Sequence, residues 1–427
     1  MIGRAAASTG VPLSTMAVLM LSVFTVSIGY GIILPLLPFL IEQLLGSSGD
    51  TEQVSRSTGL LTGLYTLSLF LFAPAWGRLS DHYGRRNVLL IGLTGFSATM
   101  FTFAFIENLP AIYAERFFSG MFAAAVTPVA LATIGDLAAT EEARARRLTC
   151  VSLAGISGFL LGPMLGVFIT RSAATMLPGV SGAGSLSLPL AGTAILAVFV
   201  TVAATITVPR TSPGALTHKR DQGPEAVPWL VPKLLTLAFI VSAGVGVFEV
   251  GLVLRGKQDL GLTQYQIAWM FTECSLVMFV VQAIVFSPWL KPETTRWFIA
   301  PGFALLAAGL FFVPRVFDFV MMIAVIGAVA ASAGVLSPIL TYWISRRAGR
   351  AQGISLGKQT AAASLGVAVG SAVGGLSFGV APPPNPSFLL ITALAVVGVV
   401  LSLGLPKLLV TRKLGELSKS RSLGKRM

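Results

Sequence analysis

The chain has little charge for its length. Only 11% of its 427 residues are Asp, Glu, Lys or Arg, while 54% are hydrophobic, and the mean hydropathy is +0.83. A soluble fold of this size cannot hide that much apolar surface, so lipid must be the solvent for most of it. Cysteine is nearly absent. Cys150 and Cys274, the only two, stand in apolar stretches, which excludes a disulfide framework or a thiolate metal site and leaves them as inert core residues. Histidine is equally scarce: His82 and His218 fall in connections between apolar runs, so neither a metal centre nor a Ser-His-Asp arrangement is indicated. No cofactor or metal is implied, and an enzyme is not expected. GLVLRGKQ, 251–258, has the glycines and lysine of a phosphate loop but Gln258 where Ser or Thr is required. It also closes an apolar run and reads as coincidence.

Long apolar runs are what the chain has in abundance. A bilayer core needs roughly 20 apolar residues per helix, and that ruler gives about twelve candidate spans: 14–38, 58–76, 87–106, 111–135, 148–170, 189–208, 231–254, 264–286, 297–314, 318–343, 352–379 and 386–406. The first reads as a retained signal-anchor, because Ala5 to Ala7 precede it, on the wrong side for cleavage. The longest polar connection, 208–233, leaves six spans on each side. With the N-terminus in the cytoplasm, 24 of the 30 Lys and Arg residues fall on the inner side, as the positive-inside rule requires. The net charge of +13 is thus mostly a topology signal, and nucleic-acid binding is not expected. The expected organisation is a bundle over 1–208, a cytoplasmic linker over 209–230, a second bundle over 231–410 and a basic tail over 411–427 against anionic lipid.

A faint repeat relates the halves. Aligning Arg146 with Arg350 brings Gly162 over Gly366 and Gly166 over Gly370. The fifth span carries Gly158, Gly162 and Gly166, and the eleventh carries Gly366, Gly370 and Gly374. Small residues four apart make a smooth stripe on which another helix can lie closely. Their return six spans later indicates duplicated halves, a common plan in secondary transporters.

Charge concentrates in GRLSDHYGRR, 77–86, between the second and third spans. Gly77 would permit a close helix contact and Gly84 a left-handed turn, and Asp81 would lie one helical turn from Arg85. Arg78 and Arg86 fit a topology-setting role. The stretch resembles the signature loop of the major facilitator superfamily at Gly77, Leu79, Asp81, Gly84, Arg85 and Arg86. The resemblance implies that Asp81 engages the start of the eleventh span and that Arg85 reaches Asp136. Together they would latch the halves on the inside while the pathway opens outward. AERFFSGMFAA, with Arg116 and Gly120, resembles the family's fourth-span pattern. GISGFLLGPMLG, with Gly155, Gly158, Gly162, Pro163 and Gly166, resembles the fifth span of its drug:proton antiporters, and YGIILPLLPFL resembles their first. The second half departs from the pattern: SPWLKPETTRW keeps little of a duplicated signature loop.

An ionisable side chain in lipid costs at least about 2.5 kcal/mol and needs a reason. Glu273 lies near the middle of the eighth span, as either a proton carrier or a neutral acid bonded between helices. Glu249, in the outer half of the seventh, either faces a cavity and meets a cationic substrate or serves packing. Arg116 has no acid in the first span to pair with, and Glu115 is expected to point elsewhere on the helix. A functional role is expected for it, and the resemblance implies one in coupling. Tyr30, Tyr65, Gln282 and Gln359 are expected to pack rather than line a cavity, and Trp76, Trp229, Trp269 and Trp343 to anchor at the interface.

The expected fold class is an all-α membrane protein of twelve transmembrane helices in two pseudo-symmetric six-helix bundles. The resemblance implies a monomeric, proton-coupled exporter of lipophilic or cationic small molecules in a bacterial inner membrane, with both termini cytoplasmic. A transporter of a polar metabolite and a non-transporting receptor stand as alternatives.

Overall fold

The computed structural model describes residues 12–46, 50–137, 141–176, 183–210, 229–285, 292–347, 352–379 and 386–409. The basic tail and nearly all of the expected linker lie outside the described residues.

Backbone polar groups have no water partner in lipid, so apolar runs of this length settle as helices that satisfy their own N–H and C=O groups. Among the described residues twelve long helices result: α1 Leu13–Leu45, α2 Thr51–Tyr83, α3 Arg85–Phe103, α4 Leu109–Leu137, α5 Glu141–Met176, α6 Ala183–Thr207, α7 Leu230–Leu254, α8 Gln264–Val285, α9 Ile299–Phe312, α10 Phe319–Arg347, α11 Gln352–Leu376 and α12 Pro386–Leu403. Eleven of the spans they form are long and apolar enough to cross a membrane. The twelfth helix, α3, opens on Arg85, Arg86 and Asn87 and packs between α4 and α6. Helices α1–α6 and α7–α12 make two bundles. The first is built around side chains such as Leu19, Val88 and Phe96, the second around Phe248, Phe271, Phe303 and Trp343. Trp343 is therefore a core residue, only 1% exposed, and not the interface anchor expected. Its indole N–H donates to Thr295 at 3.2 Å, which lets a large polar ring be buried.

The glycine stripes carry the same contact in both halves. In the first, α5 lies on α1: a Cβ on Gly158 would come within 2.5 Å of the Phe24 carbonyl oxygen, one on Gly162 within 2.9 Å of Gly31 Cα, and one on Gly166 within 3.2 Å of Ile32. Pro163 sits in the same seam, and Gly155 begins it against Val23. In the second half α11 lies on α7. Gly366 meets the Phe239 carbonyl, Gly370 the backbone of Ala243, and Gly374 that of Val247. At Gly158, Gly162, Gly366 and Gly370 the facing backbone leaves no room for a methyl group, and close approach is what holds helices together where lipid removes the hydrophobic drive.

Between the halves, α2 crosses α11 where a Cβ on Gly59 would stand 2.5 Å from Gly375 Cα, and one on Gly63 2.9 Å from the Ala368 carbonyl. This contact lies toward the membrane face opposite residues 77–86, hereafter the far side; the face carrying 77–86 is the basic side. Toward the far side α2 is buried along Val54–Ser68. Toward the basic side Leu71 is 50% exposed, and Gly77 and Gly357 each have nothing within 4 Å of a Cβ. The halves are closed together on the far side and parted on the basic side. Among the described residues no close contact is found at Gly77, where one was expected.

Candidate functional site

The parted halves enclose a cavity of about 260 Å³ between α1, α5, α7, α8 and α10. Its walls are apolar and aromatic, with Ile156, Phe159, Val245, Phe248, Met278, Val329, Ala330 and Ala333 among them. Polar groups are few: Glu249 and Tyr30, with Ser275 and Cys274. Cys274, expected as an inert core residue, is buried but forms part of this wall.

Glu249 stands on α7 with 8% of its surface exposed. Its Oε2 accepts a hydrogen bond from the Tyr30 hydroxyl at 2.9 Å. That bond joins α1 of the first bundle to α7 of the second. No Lys or Arg pairs with Glu249 among the described residues. Tyr30 is held by stacking on Tyr65, with ring centroids 5.3 Å apart, and on Phe159 at 5.8 Å. Tyr30 therefore lines the cavity, contrary to the packing role expected. Its signal in the sequence was a lone phenol within a span, which does not by itself say which face it occupies.

Glu273 is placed elsewhere. It is half-buried at the contact of α8 with α10, where its Oε1 lies 3.1 Å from where a Cβ on Gly327 would stand. Its Oε2 is buried without a hydrogen-bond partner. The neighbouring Cys274 lines the cavity; Glu273 is not among its lining residues.

Arg116 is not unpaired. It is bound in bidentate fashion by the adjacent Glu115, with Nε to Oε2 at 2.6 Å and Nη2 to Oε1 at 2.9 Å. Both side chains are 2% exposed. Neighbouring residues on a helix normally diverge. Here burial overrides that habit, because two charges without water are tolerable only when they meet. The guanidinium also lies 4.5 Å from the Phe103 ring centroid and 5.5 Å from that of Tyr65. A line of contacts thus runs from the Glu115–Arg116 pair through Tyr65 and Tyr30 to Glu249. Gly120, four residues beyond Arg116, brings α4 against the Tyr65 carbonyl and sets this spacing.

On the basic side, residues 77–86 are mostly helix. α2 continues through Tyr83, and Gly84 alone, at φ 91° and ψ 140°, separates it from α3. Only glycine enters that region freely, so the turn is as tight as a chain reversal between helices allows. Arg85 Nε donates to Asp136 at 3.0 Å, and Arg85 also pairs with Asp81 at 2.5 Å. Arg86 donates to the Thr205 carbonyl and so ties α3 to α6. Asp81 is 64% exposed; the side chains at the start of α11 that it was expected to engage lie outside the described residues. The second half repeats the arrangement with the signs exchanged. Glu293, in the short 3₁₀ turn before α9, pairs with Arg346 near the end of α10 at 3.3 Å. Sequence comparison of the two loops misses this, because charge inversion removes the identity while preserving the contact.

A twelve-helix membrane protein with two related bundles, a central cavity and a one-sided opening has the architecture of a secondary transporter. The family model described as Major Facilitator Superfamily matches residues 19–371, and the chain belongs to that family. Multidrug resistance protein 1 of Bacillus subtilis (strain 168) is 25% identical over 398 residues, covering 91% of this chain and 95% of the relative. The quinolone resistance protein NorA of Staphylococcus aureus (strain COL) is 26% identical over 368 residues, covering 85% and 89%. Among solved structures, a D-xylose–proton symporter superposes with a TM-score of 0.71 at 14% identity, covering 92% of this chain and 97% of that one. The human organic anion transporter MFSD10 (TETRAN) gives 0.69 at 18%, covering 92% and 100%. The fold expected from the sequence is the fold found.

Proposed function

We propose that the protein exports lipophilic, cationic small molecules in exchange for protons, by alternating access between its two bundles. The observation that carries this reading is Glu249: one unneutralised carboxylate facing an apolar, aromatic cavity between the halves, bonded across them to Tyr30. Aromatic faces and dispersion hold a lipophilic body, and the carboxylate holds its charge. A proton arriving at Glu249 neutralises it and weakens that hold, so the same group serves the cation and the proton by turns. Glu273 is a second acceptor, placed to act on the α8–α10 contact. The names of the multidrug and quinolone resistance relatives support this substrate class. The apolar walls disfavour the polar-metabolite alternative, which needs many hydrogen-bonding groups.

The basic side is the cytoplasmic one on this reading, so the conformation described is inward-open. The protein is then a monomer of a bacterial inner membrane with both termini inside. The test is transport in proteoliposomes under an imposed pH gradient, with a panel of lipophilic cations, sugars, amino acids and organic acids. Gradient-driven movement of the cations is expected, and its loss in Glu249→Gln. Gradient-independent flux, or full activity in Glu249→Gln combined with Glu273→Gln, overturns the proposal.

A further inference from the structure

The run GLVLRGKQ fails as a phosphate loop, but its last residues do something specific. α7 ends in one π-helical turn, Arg255–Asp259, at the far side of the membrane. Single π turns are rare and concentrate at functional positions, because they displace side chains from the helical register. Arg255 roots this turn in its own bundle. It is 2% exposed, bonds Asp259 at 3.0 Å and the Val316 carbonyl at 2.6 Å, and lies 4.9 Å from the Phe317 ring centroid.

The next two charged or polar side chains cross to the other bundle. Lys257 pairs with Glu42 at the end of α1, donates to the Pro38 carbonyl at 3.0 Å, and lies 4.6 Å from the Phe39 ring centroid. It is 11% exposed despite standing at a helix end. Gln258 meets the Ser55 hydroxyl of α2 at 3.1 Å through its amide nitrogen and at 3.2 Å through its oxygen. Ser55 adjoins the Gly59–Gly375 crossing, where its carbonyl would be 2.6 Å from a Cβ on Gly375.

We propose that this π-helical turn is the far-side gate of the transport pathway, with Lys257 and Gln258 as positioning residues that hold the bundles together there. The inference rests on the alternating-access reading above and assigns the part that closes the side opposite residues 77–86. All the cross-bundle partners of Lys257 and Gln258 belong to α1 and α2, so parting the halves on the far side breaks them at once. The same contacts leave the cavity walls untouched. They therefore weight one conformation against the other without choosing the substrate.

The test uses full-length protein in nanodiscs, with Cys150 and Cys274 replaced by serine and spin labels at Gln53 and Val320, exposed positions of opposite bundles on the far side. In Lys257→Ala combined with Gln258→Ala, the long-distance population is expected to grow several-fold, and efflux to slow with little change in substrate affinity. Lys257→Gln alone gives a smaller shift and serves where the double variant does not fold. Lys257→Glu opens the gate, and adding Glu42→Lys closes it again. Unchanged distances in the double and single variants, or failure of the charge swap to restore closure, overturns the gate. Absence of flux for every compound, with the distances still shifting as stated, sinks the transport reading and leaves the gate standing.

Discussion

Two buried contacts decide the chemistry at the residue scale. Tyr30 supplies the protein's own hydrogen bond to Glu249, and its ring is fixed by Tyr65 and Phe159. A hydrogen bond to a charged group is worth about 1.5–3 kcal/mol. Tyr30→Phe keeps the stack and removes the donor, so efflux should fall by roughly tenfold or more, and the melting temperature should fall modestly because the buried acceptor loses its partner. Vesicle transport and thermal unfolding of the same preparation check both halves of that statement. At Glu115 and Arg116 stability takes the larger effect. Removing one member leaves an uncompensated charge at 2% exposure, which costs about 3–5 kcal/mol. Glu115→Gln and Arg116→Met should each lower the melting temperature sharply, while the double variant should recover much of the loss. Arg116→Lys should not recover it, because an ammonium cannot reproduce the bidentate contact or the stacking on Phe103.

At the scale of the helices, glycine placement separates holding a bundle together from letting two bundles move. The stripes of α5 and α11 bind each helix to its own half, whereas Gly59 and Gly77 lie at opposite ends of α2 and bear on different conformations. A side chain at Gly59 meets Gly375 in the far-side-closed form, so Gly59→Val should drive the protein toward far-side opening. Gly77 has open space here, so Gly77→Val should be tolerated in this form and should penalise the one that brings the basic-side ends together. Paired distance measurements on each membrane face should therefore move in opposite directions for the two variants. A common direction would refute this division of labour. The stripes at 158–166 and 366–374 were legible in the sequence because a four-residue period of glycine is visible without a partner. The crossing at Gly59 was not, since its meaning depends on Gly375, which is distant in the chain and one residue out of step with the stripe. Likewise the length and number of apolar runs disclosed the helices, and charge placement suggested their orientation. Yet whether Tyr30 and Glu249 face one cavity, and whether Glu115 bends toward Arg116, depends on helix rotation and burial that no local pattern encodes.

The whole molecule is two copies of one plan in which the basic-side contacts have diverged in strength. Arg85–Asp136 in the first half and Arg346–Glu293 in the second occupy corresponding positions with exchanged signs. They are not equivalent in energy. The first pair is 12% exposed at both ends, while the second is 44% and 57% exposed. A solvent-exposed pair contributes about 0–1 kcal/mol, so Glu293→Ala should change transport less than about fivefold. Asp136 is better shielded, and Arg85 also carries Asp81 and bonds the Ser80 hydroxyl. Asp136→Ala frees a cation that the ends of α2, α3 and α4 share, so it should slow turnover by roughly tenfold or more with substrate affinity altered less than turnover. Initial rates over a substrate series, with binding measured separately, distinguish the two effects. If Glu293→Ala proved the more damaging, the working latch would lie in the second bundle, and the motif-bearing loop of the first would be a topology signal alone.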